Sequence, residues 1–163
     1  MECDECRAVS QSREEEAAFL SFLPRADLVL PDGRYMALLL GTVSMIPKSG
    51  RPIESITSIR LRKKGSLPGL VGLTTYSMRE YRGERDEISP NCRHMITFYS
   101  DLLNRLSDEA VMGVMAHELA HAWLNEHIGP EASRRREEDA DYLAEMWGFS
   151  QQLSALSNET EPA

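Results

Sequence analysis

The sequence predicts an α+β fold in which a small mixed β-sheet packs on two consecutive helices. Three short segments rich in β-forming residues, 56–61, 71–76 and 94–99, indicate strands. Two later segments, 108–127 and 131–147, carry the start and stop signals of helices. The length of 163 residues, with 42% hydrophobic and 27% charged residues, suits one minimal domain that spans the whole chain.

Composition and charge exclude several classes of protein. The balance of residues excludes a disordered chain and a collagen-like repeat. No apolar run approaches the ~20 residues that cross a bilayer, so no membrane span is predicted. The formal net charge of −8 argues against general nucleic-acid binding. Three cysteines are too few for a disulfide framework, which makes a reducing, cytoplasmic location the expectation.

Three segments differ in character from the rest of the chain. Residues 51–85 carry eight lysines and arginines against three glutamates, and such a strip is either a solvated face or a docking surface for an acidic partner. Cys3 and Cys6 form a CxxC pair, so residues 1–11 carry either part of a truncated or intermolecular zinc site or two ordinary thiols. Residues 150–163 are expected to be a polar tail that frays.

The elements before the two consecutive helices are predicted with different clarity. Ser12 precedes an acidic first turn, which indicates a helix over 13–23. The apolar stretch 35–43 fits a strand or a buried helix equally well. Segment 56–61 alternates only weakly, whereas 71–76 is richer in β-forming residues.

The two consecutive helices have recognisable ends. Ser107 with the following acidic pair marks the first start, and Gly129-Pro130 marks its end. The second helix is expected to stop at Gly148. Six apolar residues have the spacing of buried helix faces and are predicted to pack into the core: Val114, Met115, Leu119, Ala120, Leu143 and Met146.

An HExxH motif, residues 117–121, lies inside the first of these helices. Four residues make about one helical turn, so the imidazoles of His117 and His121 project from one face and can share a metal ion. Glu118 lies about 100° around the helix, where its carboxylate can reach a water on that metal. The motif predicts one Zn²⁺ per chain, with Glu118 as the catalytic base.

A catalytic zinc ion takes three protein ligands and keeps a position for water. Glu137 is the expected third ligand, because a hairpin turn at Gly129-Pro130 returns the second helix alongside the histidines. Asp141, one turn after Glu137, suits a carboxylate that orients a zinc-bound histidine through its other ring nitrogen. Glu138 and Asp139 are alternative ligands that lack such a partner.

His127 is the competing third ligand. It follows His121 by six residues, as in the HExxHxxGxxH pattern of metzincins, but Leu124 occupies the glycine position. In a continuous helix, His127 lies about 240° around from His121. The pattern therefore favours His127 as a residue of the helix C-terminus, where the helix dipole favours its charged form.

The motif and its downstream glutamate resemble the gluzincin class of zinc metallopeptidases. Segments 117–123 and 137–147 are similar to the C-terminal peptidase domain of plant LIM-domain, ubiquitin-activated peptidases. Segment 93–121 resembles, more distantly, CAAX-protease and heat-shock membrane metallopeptidases. These resemblances imply a zincin-like fold, a peptide or protein substrate, and an activator or ubiquitin-like partner.

In gluzincins, an edge strand above the zinc helix pairs with the substrate backbone. The candidate here is 71–76, with Gly72, Leu73 and Thr74 as the contact residues, although an internal core strand is nearly as consistent. The residue that stabilises the oxyanion is left open among four chemically able side chains: Tyr81, Tyr99, His127 and Tyr142.

The predicted activity is peptide-bond hydrolysis in the manner of a zinc metalloendopeptidase. Glu118 takes a proton from the attacking water and passes it to the leaving amine. A non-catalytic zinc-stabilised module is the alternative, with the site closed by a fourth ligand such as His127 or Asp141. A further alternative is an adaptor that docks an acidic partner through residues 51–85.

Overall fold

The computed structural model describes residues 22–24, 26–30, 33–50, 53–63, 72–77, 93–128 and 136–160. Four strands form in these ranges: β1 (Asp27–Val29), β2 (Ile56–Arg62), β3 (Gly72–Ser77) and β4 (Arg93–Tyr99). Five helices accompany them: α1 (Gly33–Met45), α2 (Ser100–Leu103), α3 (Asp108–His127), α4 (Arg136–Met146) and α5 (Ser150–Thr160). The mixed α+β composition confirms the predicted class.

The four strands form one mixed sheet in the order β1-β2-β4-β3. Strands β1, β2 and β4 are parallel, whereas β3 runs antiparallel to β4. The β3–β4 register pairs Gly72 with Phe98 and Ser77 with Arg93. Strand β3 therefore lies at one edge of the sheet that the described residues form.

The core lies between one face of the sheet and the helices. Ile59 of β2 and Ile96 of β4 are direct cross-strand neighbours, and both are fully buried. Helix α3 is central to the packing: ten of its residues are buried, and it contacts α1, α4 and α5. Within the described part of the chain, no helix combines the length and apolar character that crossing a membrane requires.

Tertiary packing decides the ambiguous prediction for 35–43, whereas the helix predicted over 13–23 is described only at its last two residues. The stretch 35–43 is helical, because Tyr35, Leu39 and Val43 recur every four residues and bury one stripe of α1. Phe22 and Leu23 are buried in the core, while 13–21 lies outside the described residues.

Helix α3 begins as the sequence predicts. The hydroxyl oxygen of Ser107 accepts the backbone N–H of Ala110 at 3.2 Å, which satisfies one donor of the first turn. The carboxylate of Glu159, in the last turn of α5, accepts the backbone N–H of Ser107 at 2.7 Å and its hydroxyl at 2.6 Å. The N-terminus of α3 is thereby fixed to α5.

Helix α4 ends in a Schellman motif. Gly148 has φ +101, the backbone N–H of Phe149 donates to Ala144, and that of Gly148 donates to Glu145. This agrees with the predicted stop, although the helix itself ends at Met146. The expected start at 131 lies outside the described residues.

Two expectations are wrong. Residues 150–160 are not a polar tail but helix α5, which packs on α3 after the fully buried Phe149. The two helices approach so closely at Gly113 that a Cβ there would lie 2.6 Å from the backbone oxygen of Gln152. Met146 is 66% exposed, because it lies about 160° around α4 from the buried Ala144.

The other predicted packing residues behave as expected. Val114, Met115, Leu119 and Ala120 are buried, and Leu143 packs against the core while partly exposed.

Candidate metal centre

The two histidines of the HExxH motif face each other on one side of α3. Their ring centroids are 4.6 Å apart in an edge-to-face arrangement, and the Nε2 atoms of His117 and His121 are 3.0 Å apart. Leu119 and Ala120, which lie between them in sequence, are buried in the core. Because α3 is held by its buried face, the imidazoles have a defined direction, as the motif predicts.

Glu137 of α4 completes a group of three metal-binding side chains. Its Oε2 lies 2.9 Å from Nε2 of His117, and its Oε1 lies 2.9 Å from Nε2 of His121. One ligand atom from each of the three residues lies within 4.8 Å of the others, a grouping found nowhere else in the described residues. Zinc bonds of about 2.0–2.1 Å in a tetrahedral site separate donors by about 3.3 Å, so the cluster has nearly the right size.

Asp141 fixes the protonation of one imidazole. Its Oδ1 lies 2.7 Å from Nδ1 of His117, which therefore donates its N–H to this carboxylate. The Nε2 lone pair of His117 is then directed toward Glu137 and His121. Two imidazole nitrogens and a carboxylate that converge in this way form an electron-rich donor set suited to a cation.

The two imidazoles differ in their affinity for protons. Burial lowers the pKa of His117, but the negative charges of Glu118, Glu137 and Asp141 outweigh it and raise the pKa above its usual value. Burial and the neighbouring His117 lower the pKa of His121, and Glu137 offsets this only in part. Of the two imidazoles, His117 therefore accepts a proton more readily, and His121 stays neutral to lower pH.

Glu118, the predicted catalytic base, is buried on α3 next to His117. Its side chain is buried, with 6% exposure, and it is close enough to His117 to raise the pKa of that residue. It is the one charged residue among the ten buried residues of α3. A buried carboxylate is costly unless it is partnered, and it marks a position of chemical interest.

His127 lies outside the cluster. It is the last residue of α3, is exposed, and its ring centroid lies 4.4 Å from that of Trp123. This agrees with the helix geometry that places it away from His121. Glu138 and Asp139, the alternative ligands, are likewise not members of the three-residue group.

The remaining predicted site residues are scattered. Gly72, Leu73 and Thr74 lie in edge strand β3, which approaches α3. Tyr99 is buried at the end of β4, whereas Tyr142 is 64% exposed on α4. Three other candidates lie outside the described residues: Cys3, Cys6 and Tyr81.

The basic segment 51–85 is described only in part, over 53–63 and 72–77. Within it, Arg62 and Lys63 are exposed at the end of β2. A docking surface on the whole segment therefore stays a prediction.

A polar cluster of buried Ser55, buried His94 and partly exposed Glu126 was not foreseen from the sequence. The hydroxyl of Ser55 lies 2.7 Å from Nδ1 of His94 and 2.9 Å from Oε2 of Glu126. Burial lowers the pKa of His94 to about 4, so its imidazole is neutral at ordinary pH. The sequence indicated correctly that His94 is a strand residue, but no local pattern links residues so far apart.

Residues 91–131 match the sequence profile of peptidase family M48. The matched segment contains β4, α2 and α3, and with them the HExxH motif. The match supports a metallopeptidase of the M48 kind. Peptidases of this family are zinc metalloproteases, in agreement with the His-His-Glu group. No curated protein and no solved structure gave a significant match to the chain.

The matched segment includes 93–121, for which the sequence resembles CAAX-protease and heat-shock membrane metallopeptidases. Of the two segments that carry the resemblance to plant LIM-domain peptidases, it includes 117–123 and ends before 137–147. Nothing in the match supports that second resemblance specifically.

Proposed function

We propose that the protein is a zinc-dependent endopeptidase of the gluzincin type, in which His117, His121 and Glu137 bind one Zn²⁺ and Glu118 is the general base. The observation that carries this proposal is the convergence of two Nε2 atoms and a carboxylate, at separations of 2.9–3.0 Å. The M48 match over the same helix adds independent support.

A zinc ion bound there would lower the pKa of an attacking water and polarise the scissile carbonyl. Glu118 takes the proton of that water and delivers it to the leaving amine, which lets one carboxylate act first as base and then as acid. Asp141 holds the proton on Nδ1 of His117, so that Nε2 remains a ligand atom.

Strand β3 is the proposed binding site for the substrate backbone. One side of β3 pairs with β4, and the described residues place no strand on its other side. An extended peptide can therefore add to β3 through backbone hydrogen bonds around Gly72, Leu73 and Thr74. Because such a strand extends in both directions from the scissile bond, we expect cleavage within chains rather than at their ends.

The closed, non-catalytic zinc module has less support. It requires a fourth protein ligand, yet Asp141 contacts the opposite ring nitrogen of His117, and His127 lies beside Trp123. The described residues thus offer three ligands, which leaves the position that a catalytic water needs. An activator of ubiquitin-like character and a cytoplasmic location stay predictions.

The decisive experiment compares wild type with Glu118→Gln in zinc content and in cleavage of peptides blocked at both ends. We expect the variant to keep about one zinc per chain and to lose ~10²–10⁴-fold in cleavage rate, the typical contribution of a general base. Glu109→Gln is the matched control, because Glu109 is an exposed glutamate in the first turn of the same helix. Unchanged cleavage by Glu118→Gln, or loss of its zinc, would contradict the assigned role.

A further inference from the structure

The polar cluster of Ser55, His94 and Glu126 lies where the last turn of α3 meets the beginnings of β2 and β4, and its Glu126 side is partly exposed. His94 is fully buried and Ser55 is 7% exposed. Ile53 and Ile56, which flank Glu54 and Ser55 in the sequence, are both fully buried. A buried polar group costs free energy unless it is hydrogen-bonded, so the geometry of such a cluster is tightly specified.

Ser55 is the centre of this cluster. Its single hydroxyl proton goes to the carboxylate of Glu126, and its oxygen then accepts the Nδ1–H of His94. Its backbone oxygen also accepts the backbone N–H of His94 at 2.8 Å. The carboxylate of Glu126 accepts, in addition, the backbone N–H of Glu54 at 3.3 Å.

The cluster connects the ligand-bearing helix with β4, the strand that pairs with edge strand β3. Glu126 follows His121 by five residues, about 7.5 Å along the axis of α3. His94 is paired with Tyr76 of β3 in the strand register. Apolar packing between a helix and a sheet is non-directional, whereas hydrogen bonds at both ends of Ser55 constrain direction and distance.

We propose that Ser55 is a positioning residue that acts through Glu126 and His94 to fix edge strand β3 relative to the His117–His121 face of α3. The structural part of this inference stands on the contacts alone. Its kinetic part rests on the proposed function. A peptide bound to β3 should lie at the correct distance from His117 and His121 only while the cluster is intact.

The chain provides a matched control at the other end of the same helix. The hydroxyl of Ser107 also donates to a glutamate, but this glutamate, Glu159, belongs to α5 and not to α3 or the sheet. Ser55→Ala and Ser107→Ala each remove a serine hydroxyl that ties α3 to another element. A difference in behaviour between the two variants therefore reports on the position of β3 relative to α3, because both lose a comparable hydrogen bond.

Hydrogen exchange of the backbone amides of 72–77 and 93–99 tests the structural part. We expect Ser55→Ala to accelerate exchange in these strands about tenfold relative to Ser107→Ala, the equivalent of one lost hydrogen bond to a charged group. Equal exchange in the two variants would overturn the inference. If Ser55→Ala fails to fold, Glu126→Ala replaces it. In that case Glu126→Gln, which keeps an acceptor for the hydroxyl, should restore slow exchange.

Kinetics test the functional part. We expect Ser55→Ala to raise KM for blocked peptides about tenfold, with kcat and zinc content within about twofold of wild type, because the metal ligands are untouched. A fall in kcat without a change in KM would contradict substrate positioning. If wild type itself cleaves no peptide, the proposed function fails, and the exchange measurement still decides whether Ser55 positions β3.

Discussion

The two helices that carry the candidate ligands are held in different ways. Helix α3 is buried along most of its length, fixed to α5 at one end through Ser107 and to the sheet at the other through Glu126. Helix α4 fully buries Ala140 and Ala144, whereas its carboxylates Glu137 and Asp141 are 80% and 57% exposed. The site therefore joins an anchored pair of imidazoles to carboxylates that water can reach.

The two helices therefore supply different properties to the metal site: α3 fixes the direction of the imidazoles, and α4 supplies negative charge. Packing fixes the backbone of α3, and this backbone determines where its two imidazoles project. An exposed carboxylate costs little to keep charged and supplies the attraction for a cation. Changes on the α4 side should therefore reduce zinc affinity while the fold persists, and changes around α3 should reduce stability.

The largest expected effect is on the α4 side. Glu137→Ala should lower zinc affinity by more than ~100-fold, because it removes the one carboxylate that faces both Nε2 atoms. His127→Ala is the control and should leave affinity within about twofold. Titration with a competing chelator measures both. Greater loss in His127→Ala would favour the metzincin-like arrangement instead.

Acid should lower the stability of the fold through His94, which belongs to the polar cluster that ties α3 to the sheet. His94 is neutral when folded, with a pKa of about 4 against 6.5 when unfolded, so the unfolded chain binds the extra proton first. The stability from this residue is fully present above pH 6.5 and is lost as pH falls toward 4, by up to about 3 kcal/mol. Urea unfolding at pH 7, 5 and 4, for wild type and His94→Gln, measures it; an equal pH dependence in both would refute the assignment.

Asp141 tests the link between the two helices. Asp141→Ala should weaken zinc binding ~10–100-fold, the usual cost of losing the partner of a metal-bound histidine. It should also let the pKa of His117 fall, because the hydrogen bond and the charge of Asp141 both raise it. NMR titration of the zinc-free protein follows that pKa. A pKa of His117 that does not fall would show that Asp141 does not hold its proton.

The smallest expected effect concerns how α3 is packed. Gly113→Ala should destabilise the fold by about 1–2 kcal/mol, because the new Cβ meets the backbone of α5 and overpacking outweighs the gain in helix propensity. Gly41→Ala in α1 is the matched substitution, since its Cβ would lie 3.7 Å from the end of Met112. It should stabilise the fold by about 0.5–1 kcal/mol. Thermal unfolding distinguishes the two signs, and a shift of the same sign in both would contradict the role of close helix contact.

Local patterns made part of this structure predictable. The HExxH motif specifies its own helix, and the four-residue spacing puts His117 and His121 on one face whatever else surrounds them. Glu137 and Asp141 were predicted from an expected turn at Gly129-Pro130, which itself lies outside the described residues. Gly148 marks a helix end because it adopts a conformation that other residues avoid.

Contacts between distant residues account for what the sequence did not reveal. Helix α5 contains few apolar residues and depends on its close approach to Gly113, almost forty positions earlier. The stretch 35–43 became a helix because of the surfaces around it. Ser55 and Glu126 meet across 71 positions, a separation that no short motif describes.

The hydrogen bond between Asp141 and His117 also couples zinc binding to the release of a proton. The raised pKa of His117 means that part of the zinc-free protein carries a proton on this imidazole near and below neutral pH. Zinc can bind only after that proton leaves, so binding releases it to the buffer. The heat of zinc binding should therefore change with the ionisation enthalpy of the buffer, and zinc occupancy should respond to modest acidification.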